Sequence, residues 1–194
     1  MKERNFKELI IIAGPNGSGK STLAGQLTLP TPFINADMYA KSKYAHIVDE
    51  GERAQQASLA VAQKIKECIK QGASFAFETV FAMDNLPHFL RAAKSDGYQI
   101  TIHFIAVDNV ELNVERVALR VKQGGHNIPT DLIRSRHKKV IALLPELILF
   151  ADKIVVYDNT GKGMRPFLVK EEEKIKIVDD IPRWAIKAIG SLYS

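Results

Sequence analysis

The residues Gly14-Pro15-Asn16-Gly17-Ser18-Gly19-Lys20-Ser21 fit the pattern G-x-x-x-x-G-K-[ST] at every fixed position. They follow an apolar run, Leu9 to Ala13, that reads as a buried strand, and they lead into a helix predicted from about Lys20 to Leu27. That strand–loop–helix setting separates a working phosphate loop from a chance match. Glycines permit backbone angles and close approach that a side chain forbids. The loop can then turn several N–H groups inward as an anion nest, to which the helix N-terminus adds its dipole. Lys20 would reach the β- and γ-phosphates, the Ser21 hydroxyl would bind Mg²⁺, and Thr22 completes the cradle. The expected ligand is a nucleoside triphosphate.

This loop alone does not choose between a kinase, an ATPase, a GTPase and a motor. The chain has no N-K-x-D guanine signature and no convincing strand ending in an acidic pair, the nearest being "FIAVD" at Asp108. Other residues must supply the chemistry. Asp37, in "FINADMYAK", stands just past a predicted second strand, Phe33 to Asn35. A carboxylate there can take the proton of a substrate hydroxyl as it attacks the γ-phosphate, or it can cap a helix. Glu78 and Thr79 end a third strand begun at Ser74, on the sheet edge where open α/β folds bind ligands. Both can hydrogen-bond a polar acceptor, or simply face water.

Arg116 and Arg120 stand four apart on one predicted helix face, and Arg134 and Arg136 follow on the next helix, after "KQGGHNIP". Two arginine-bearing helices joined by a Gly-Gly turn resemble a lid, over about residues 116 to 140. The fixed fork of arginine suits charge spread over a transferring phosphoryl group, although a solvated basic face has the same pattern. His126 would touch a phosphate or order the loop. Asp158-Asn159 forms a turn or a wall of the adenine pocket.

The elements that must position these groups alternate. After the second strand comes an amphipathic helix over Glu52 to Gln71, with Gly72 as its C-cap. A short helix near Pro87 to Lys94 follows the third strand. Ile100 to Val107 is the fourth strand, Asn109 caps the first arginine helix, and the second runs from Thr130 to about Leu144. Lys153 to Tyr157 is the fifth strand, "PFLVKEEEKIKIV" reads as a β-hairpin, and Pro182 opens a last helix, so that residues 165 to 194 form a C-terminal hairpin and helix. Alternating strands and helices predict an α/β fold of three layers with a five-stranded parallel sheet. At 194 residues one domain, 1–194, is expected.

With 46% hydrophobic and 25% charged residues, the composition is that of an ordinary globular protein. Its apolar runs fall short of the roughly 18 residues a membrane span needs. The charged N-terminus lacks a signal-peptide core, so a cytoplasmic protein is expected. The single cysteine, Cys68, lies on an apolar helix stripe and excludes an internal disulfide. The net charge of +5 suits anionic small molecules and nonspecific attraction to nucleic acid alike. With no dense basic run carrying interleaved aromatics, a nucleic-acid partner is not expected.

Taken in order, "AGPNGSGKSTLA", "FINAD", "FAFETVF", "RVALRVKQGGHNIPTDLIRSR" and "VYDN" resemble the zeta toxin-like P-loop kinases. The resemblance is closest to a short bacterial branch with a Gly-Gly-His-x-[Ile/Val]-Pro lid, and it covers roughly residues 8 to 160. It implies a fold like that of adenylate and shikimate kinases, ATP with Mg²⁺ as donor, and UDP-N-acetylglucosamine as acceptor, phosphorylated on the sugar 3′-hydroxyl. By motif it implies Lys20 and Ser21 as phosphate and Mg²⁺ residues and Asp37 as the base. Glu78 and Thr79 would bind the acceptor, and Arg120 with Arg134 or Arg136 would be the lid arginines. An antitoxin protein is the partner it would imply. The expected activity is an ATP-dependent kinase of a small hydroxylated acceptor. A polynucleotide or nucleoside kinase, and a nucleotide-dependent binding module acting through a partner protein, remain open.

Overall fold

A computed structural model describes residues 6–81 and 86–190. The first strand, β1 (Lys7–Ala13), is apolar and β-branched, and its last five residues are buried. It lies between β3 (Phe75–Thr79) and β4 (Tyr98–Ala106), parallel to both, with Ala13 opposite Thr79 on one side and Phe104 on the other. A short β2 (Phe33–Ile34) flanks β3, and β5 (Lys153–Asp158) flanks β4, all parallel. A near-continuous apolar central strand is what a parallel sheet requires.

The sheet is larger than the five parallel strands expected from sequence. The hairpin of β6 (Arg165–Glu171) and β7 (Lys174–Ile177) pairs antiparallel with β5, giving a mixed seven-stranded sheet of order β2-β3-β1-β4-β5-β6-β7. The hairpin satisfies the backbone groups that β5 would otherwise present as an open edge.

Eight helices are described: α1 (Lys20–Ala24), α2 (Ala36–Ser42), α3 (Glu50–Gln71), α4 (Leu86–Ser95), α5 (Val110–Lys122), α6 (Thr130–Ala142), α7 (Leu144–Phe150) and α8 (Arg183–Gly190). Helix α1 is shorter than the predicted stretch to Leu27. The helix expected from Thr130 to about Leu144 is two helices, because Pro145 at the start of α7 restarts the run. Asn109 caps α5 by accepting from the Glu111 N–H, and Gly72 closes α3 in the left-handed conformation.

The layers are unequal. Residues of α3, α4, α6, α7 and α8 join one large core cluster with Leu9, Ile11, Ala13, Phe75, Ile102 and Phe104 of the sheet. The alternate residues Ile12 and Ile105 face a small second cluster, where α1 supplies Leu23 and Ala24 and the following loop supplies Leu27 and Leu29. The third layer is therefore thin. Cys68 is buried in the main core. No helix among the described residues is long and apolar enough to cross a membrane.

Candidate active site

The P-loop fills the turn from β1 to α1, and its glycines are there for steric reasons. A Cβ on Gly14 would lie 2.0 Å from the Ile105 carbonyl oxygen, and one on Gly17, where φ is +74°, 2.7 Å from the Asn113 carbonyl oxygen. Two asparagines brace the loop from outside. Asn113 on α5, fully buried, donates its amide to the Asn16 carbonyl at 2.6 Å. Asn159, just after β5, donates to the Ser18 carbonyl at 2.8 Å. The Asn113 side-chain oxygen lies 2.9 Å from His137 Nδ1, so the strut continues into α6. The buried Asn113 amide, with its nitrogen committed to Asn16, requires Nδ1 of His137 to be the donor.

Lys20, at the first position of α1, is buried and donates to the Pro15 carbonyl at 2.9 Å. Desolvation lowers its pKa to about 8, against the opposing pull of the Glu78 carboxylate. Arg120 and Arg136 lower it further, and Asp37 raises it. Ser21 donates to Glu78 Oε2 at 3.0 Å, and the Asn35 amide donates to the same oxygen at 2.7 Å. Asn35, not Asp37, is the N-cap of α2, accepting from the Met38 N–H. Asp37 is thereby left free in the first turn of α2. Its carboxylate lies 3.6 Å from Arg120 Nη1, across the mouth of the site.

These groups line one cavity of about 660 Å³. From the sequence-expected set, the cavity wall includes Asn16, Gly17, Gly19, Lys20, Ser21, Thr22, Asp37, Glu78, Thr79, Arg120 and Arg136. Gly14, Pro15 and Ser18 are buried in the loop and do not line the cavity. Arg134 is elsewhere: its guanidinium is held by both carboxylate oxygens of Glu111, at 2.9 and 3.0 Å, on the outer surface of α5 and α6. Arg116 does line the cavity, with one nitrogen donating to the Asn159 carbonyl. His126 lies outside the lining. Its carbonyl accepts from Arg120, and its ring nitrogen is 3.8 Å from Glu50. Asp158 is buried against Trp184, Thr160 and Arg165, so it anchors the C-terminal segment to β5.

The arrangement fits a phosphorylated ligand. Arg116 Nη1 and Arg120 Nε are buried donors without a partner, and they belong to two residues that line the cavity. The Ser21 hydroxyl and Glu78 carboxylate form a hard oxygen pair of the kind Mg²⁺ prefers. Among the described residues no group of three or more His, Cys, Asp or Glu is placed to hold a metal, so a divalent ion here would share its oxygens with phosphate.

Asn35 and Asn113 are not singled out by the sequence, and Asn159 is visible there only as part of a turn. Asn35 sits before a short helix, and the run Asn-Ala-Asp is an N-cap pattern that would have found it. Asn113 and Val117 share a buried helix face, so a polar residue on an apolar stripe was the available signal. For Asn159 the sequence shows the turn but not its bond to the P-loop, 141 residues away.

Comparison with known proteins places this geometry. The chain matches the Zeta toxin family over residues 1–164. An uncharacterized protein of Haemophilus influenzae is 28% identical over 134 residues, covering 66% of this chain and 91% of its own. The AvrRxo1-ORF1:AvrRxo1-ORF2 structure with sulphate ions aligns with a TM-score of 0.72 at 12% identity, over 97% of this chain. This chain spans 64% of that one. The same pair with ATP gives a TM-score of 0.71 at 13% identity, again over 97% of this chain and 64% of that one. A structure of the PezAT chromosomal toxin–antitoxin system of Streptococcus pneumoniae gives 0.58 at 16% identity, over 81% of this chain and 70% of that one. These likenesses show a shared fold.

Proposed function

The chain belongs to the Zeta toxin family, and on that premise we propose that it is an ATP-dependent kinase of a small hydroxylated acceptor. The observation that carries the proposal is Asp37: a carboxylate spared from capping, 3.6 Å from Arg120, in the same cavity as Lys20 and Ser21. The P-loop amides and Lys20 hold the triphosphate. Ser21, with Glu78 beside it, would hold Mg²⁺, which would supply charge neutralisation to the triphosphate. Asp37 orients the acceptor hydroxyl and takes its proton. The hydroxyl oxygen bonds to the γ-phosphorus while the bond to the β,γ-bridging oxygen breaks, and ADP leaves. Arg120, Arg136 and Arg116 balance the charge on the transferring group. Arg134 contributes by clamping α6 to α5 through Glu111.

We read residues 1–194 as one cytoplasmic kinase domain whose lid spans about 116–140. Family membership also supports an antitoxin protein as partner. UDP-N-acetylglucosamine, the acceptor that the motif resemblance implies, is the reference acceptor for assay. Asp37→Asn keeps the shape and removes the base. It should leave ATP affinity within about twofold and lower phosphoryl transfer by roughly 10²–10⁴, the usual worth of a general base. Isothermal titration beside a phosphoryl-transfer assay reads both, and equal turnover in the mutant contradicts the assignment.

A further inference from the structure

Asp37 sits in a helix that the core holds weakly. None of the seven residues of α2 is buried, and of them Tyr39 alone packs, partly buried, against the main core. The direction of α2 is therefore set where the chain enters it, at Asn35. The register of β2 on β3, Phe33 opposite Ala76 and Ile34 opposite Phe77, carries Asn35 to the level of Glu78. Asn35 is 6% exposed, and its one amide is used in two directions. Oδ1 accepts from the Met38 N–H at 3.1 Å, and Nδ2 donates to Glu78 Oε2 at 2.7 Å. That same carboxylate oxygen accepts from the Ser21 hydroxyl at 3.0 Å. Three hydrogen bonds thus run from α1, through Glu78 on β3, to the turn of α2 that bears Asp37.

We infer that Asn35 is a positioning residue for the transfer, tying the helix that bears Asp37 to the Glu78–Ser21 pair beside the phosphate loop. The inference rests on the kinase reading with Asp37 as base, and adds what holds that base in place. Capping alone does not call for asparagine, since serine and aspartate cap a helix as well. The bond to Glu78 does, because an amide carries an acceptor and N–H donors on one short planar group. Aspartate can only accept on both sides, and a serine hydroxyl is too short to cap Met38 and reach Glu78 together. The Asn35 donor also meets a charged acceptor, and such a bond is about twice as strong as a neutral one. Without it α2 keeps its helical shape and loses its bearing on the cavity. Misplacing reacting groups by about 1 Å can cost about 10²-fold in rate. Asn35 lines the cavity with both ends of its amide bonded to the protein, so its effect on the chemistry passes through Asp37 and Glu78.

The test compares Asn35→Ser, Asn35→Asp and Asn35→Ala with wild type in the full chain. Each protein receives γ-labelled ATP, Mg²⁺ and a bacterial metabolite extract supplemented with UDP-N-acetylglucosamine, and the labelled product is followed. Serine and aspartate retain the cap, so their melting temperatures should stay within about 3 °C of wild type. Both should keep KM for ATP within about twofold, while the rate at saturating ATP falls at least about tenfold, as it does in Asn35→Ala. Asn35→Asp also sets a second carboxylate against Glu78, and two such groups share a proton. Its rate relative to wild type should rise severalfold from pH 8 to pH 6, where the shared proton restores a bond between them. The other charged groups of the cavity, Lys20, Asp37, Arg116, Arg120 and Arg136, are the same in both proteins, so their own titrations cancel in this ratio. A wild-type rate in Asn35→Ser would mean that the cap alone matters, and overturns the inference. So does a pH-independent ratio for Asn35→Asp, or a rise in KM for ATP that matches the fall in rate. No labelled product from wild type counts instead against the kinase reading itself, and the inference falls with it.

Discussion

Lys20 is the residue whose ionisation the fold alters most usefully. Burial lowers its pKa to about 8, where an exposed lysine would titrate near 10.5. The ammonium that would grip the phosphates in the proposed reaction is therefore present below about pH 8 and lost above it. We expect kcat/KM for ATP to be level from pH 6.5 to 7.5 and to fall about tenfold per pH unit well above 8. A profile that stays level to pH 10 contradicts this role. Folding feels the same shift: between the two pKa values the unfolded chain binds more protons, so this group makes stability rise with pH across that window. The residues legible in the sequence were those fixed by short spacing. Lys20 and Ser21 follow from one loop motif, and Asp37 from its place after a strand. Arg134 and Arg136 are two apart, and spacing could not say which faces the site. A helix turns about 200° over two residues, so the two point to nearly opposite sides. Arg136 lines the cavity and Arg134 is bonded to Glu111 outside it.

At the scale of elements, the parallel strands and the long α3 were readable because their periods are strong. The break between α6 and α7 was not, since Leu143 to Leu147 continues the apolar pattern across Pro145. The hairpin was visible as a hairpin, but its pairing with β5 depends on a free edge that only the assembled sheet has. The braces on the P-loop are likewise a product of assembly. Asn113 ties the loop to α5 and, through His137, to α6, so both arginine helices are referenced to the phosphate cradle. Asn113→Ala leaves the Asn16 carbonyl and the His137 donor unpaired, a cost of about 1–3 kcal/mol. Urea unfolding should record that loss, and KM for ATP should rise severalfold. Unchanged stability with unchanged KM would mean that the strut carries no strain from loop to helix.

Over the whole molecule, the C-terminal hairpin and α8 are joined to the parallel sheet rather than appended to it. Trp184 donates to Asp158 at 3.1 Å and packs its ring against Phe104 and Phe167. Asp158 is followed directly by Asn159, which holds the P-loop. Trp184 is the chain's one tryptophan, so its fluorescence reports the C-terminal segment while far-UV circular dichroism reports all the helices. One domain predicts that the two signals change together in denaturant, and separate transitions would divide the chain. The central claim is that the cavity transfers the γ-phosphoryl group of ATP to a hydroxyl. Mass spectrometry of a bacterial metabolite extract, incubated with ATP and Mg²⁺ with wild-type protein or with Asp37→Asn, tests it most directly. The wild-type reaction should yield ADP and one metabolite heavier by a phosphoryl group, which the Asp37→Asn reaction lacks. ATP left intact, or consumed with no phosphorylated metabolite formed, contradicts the claim.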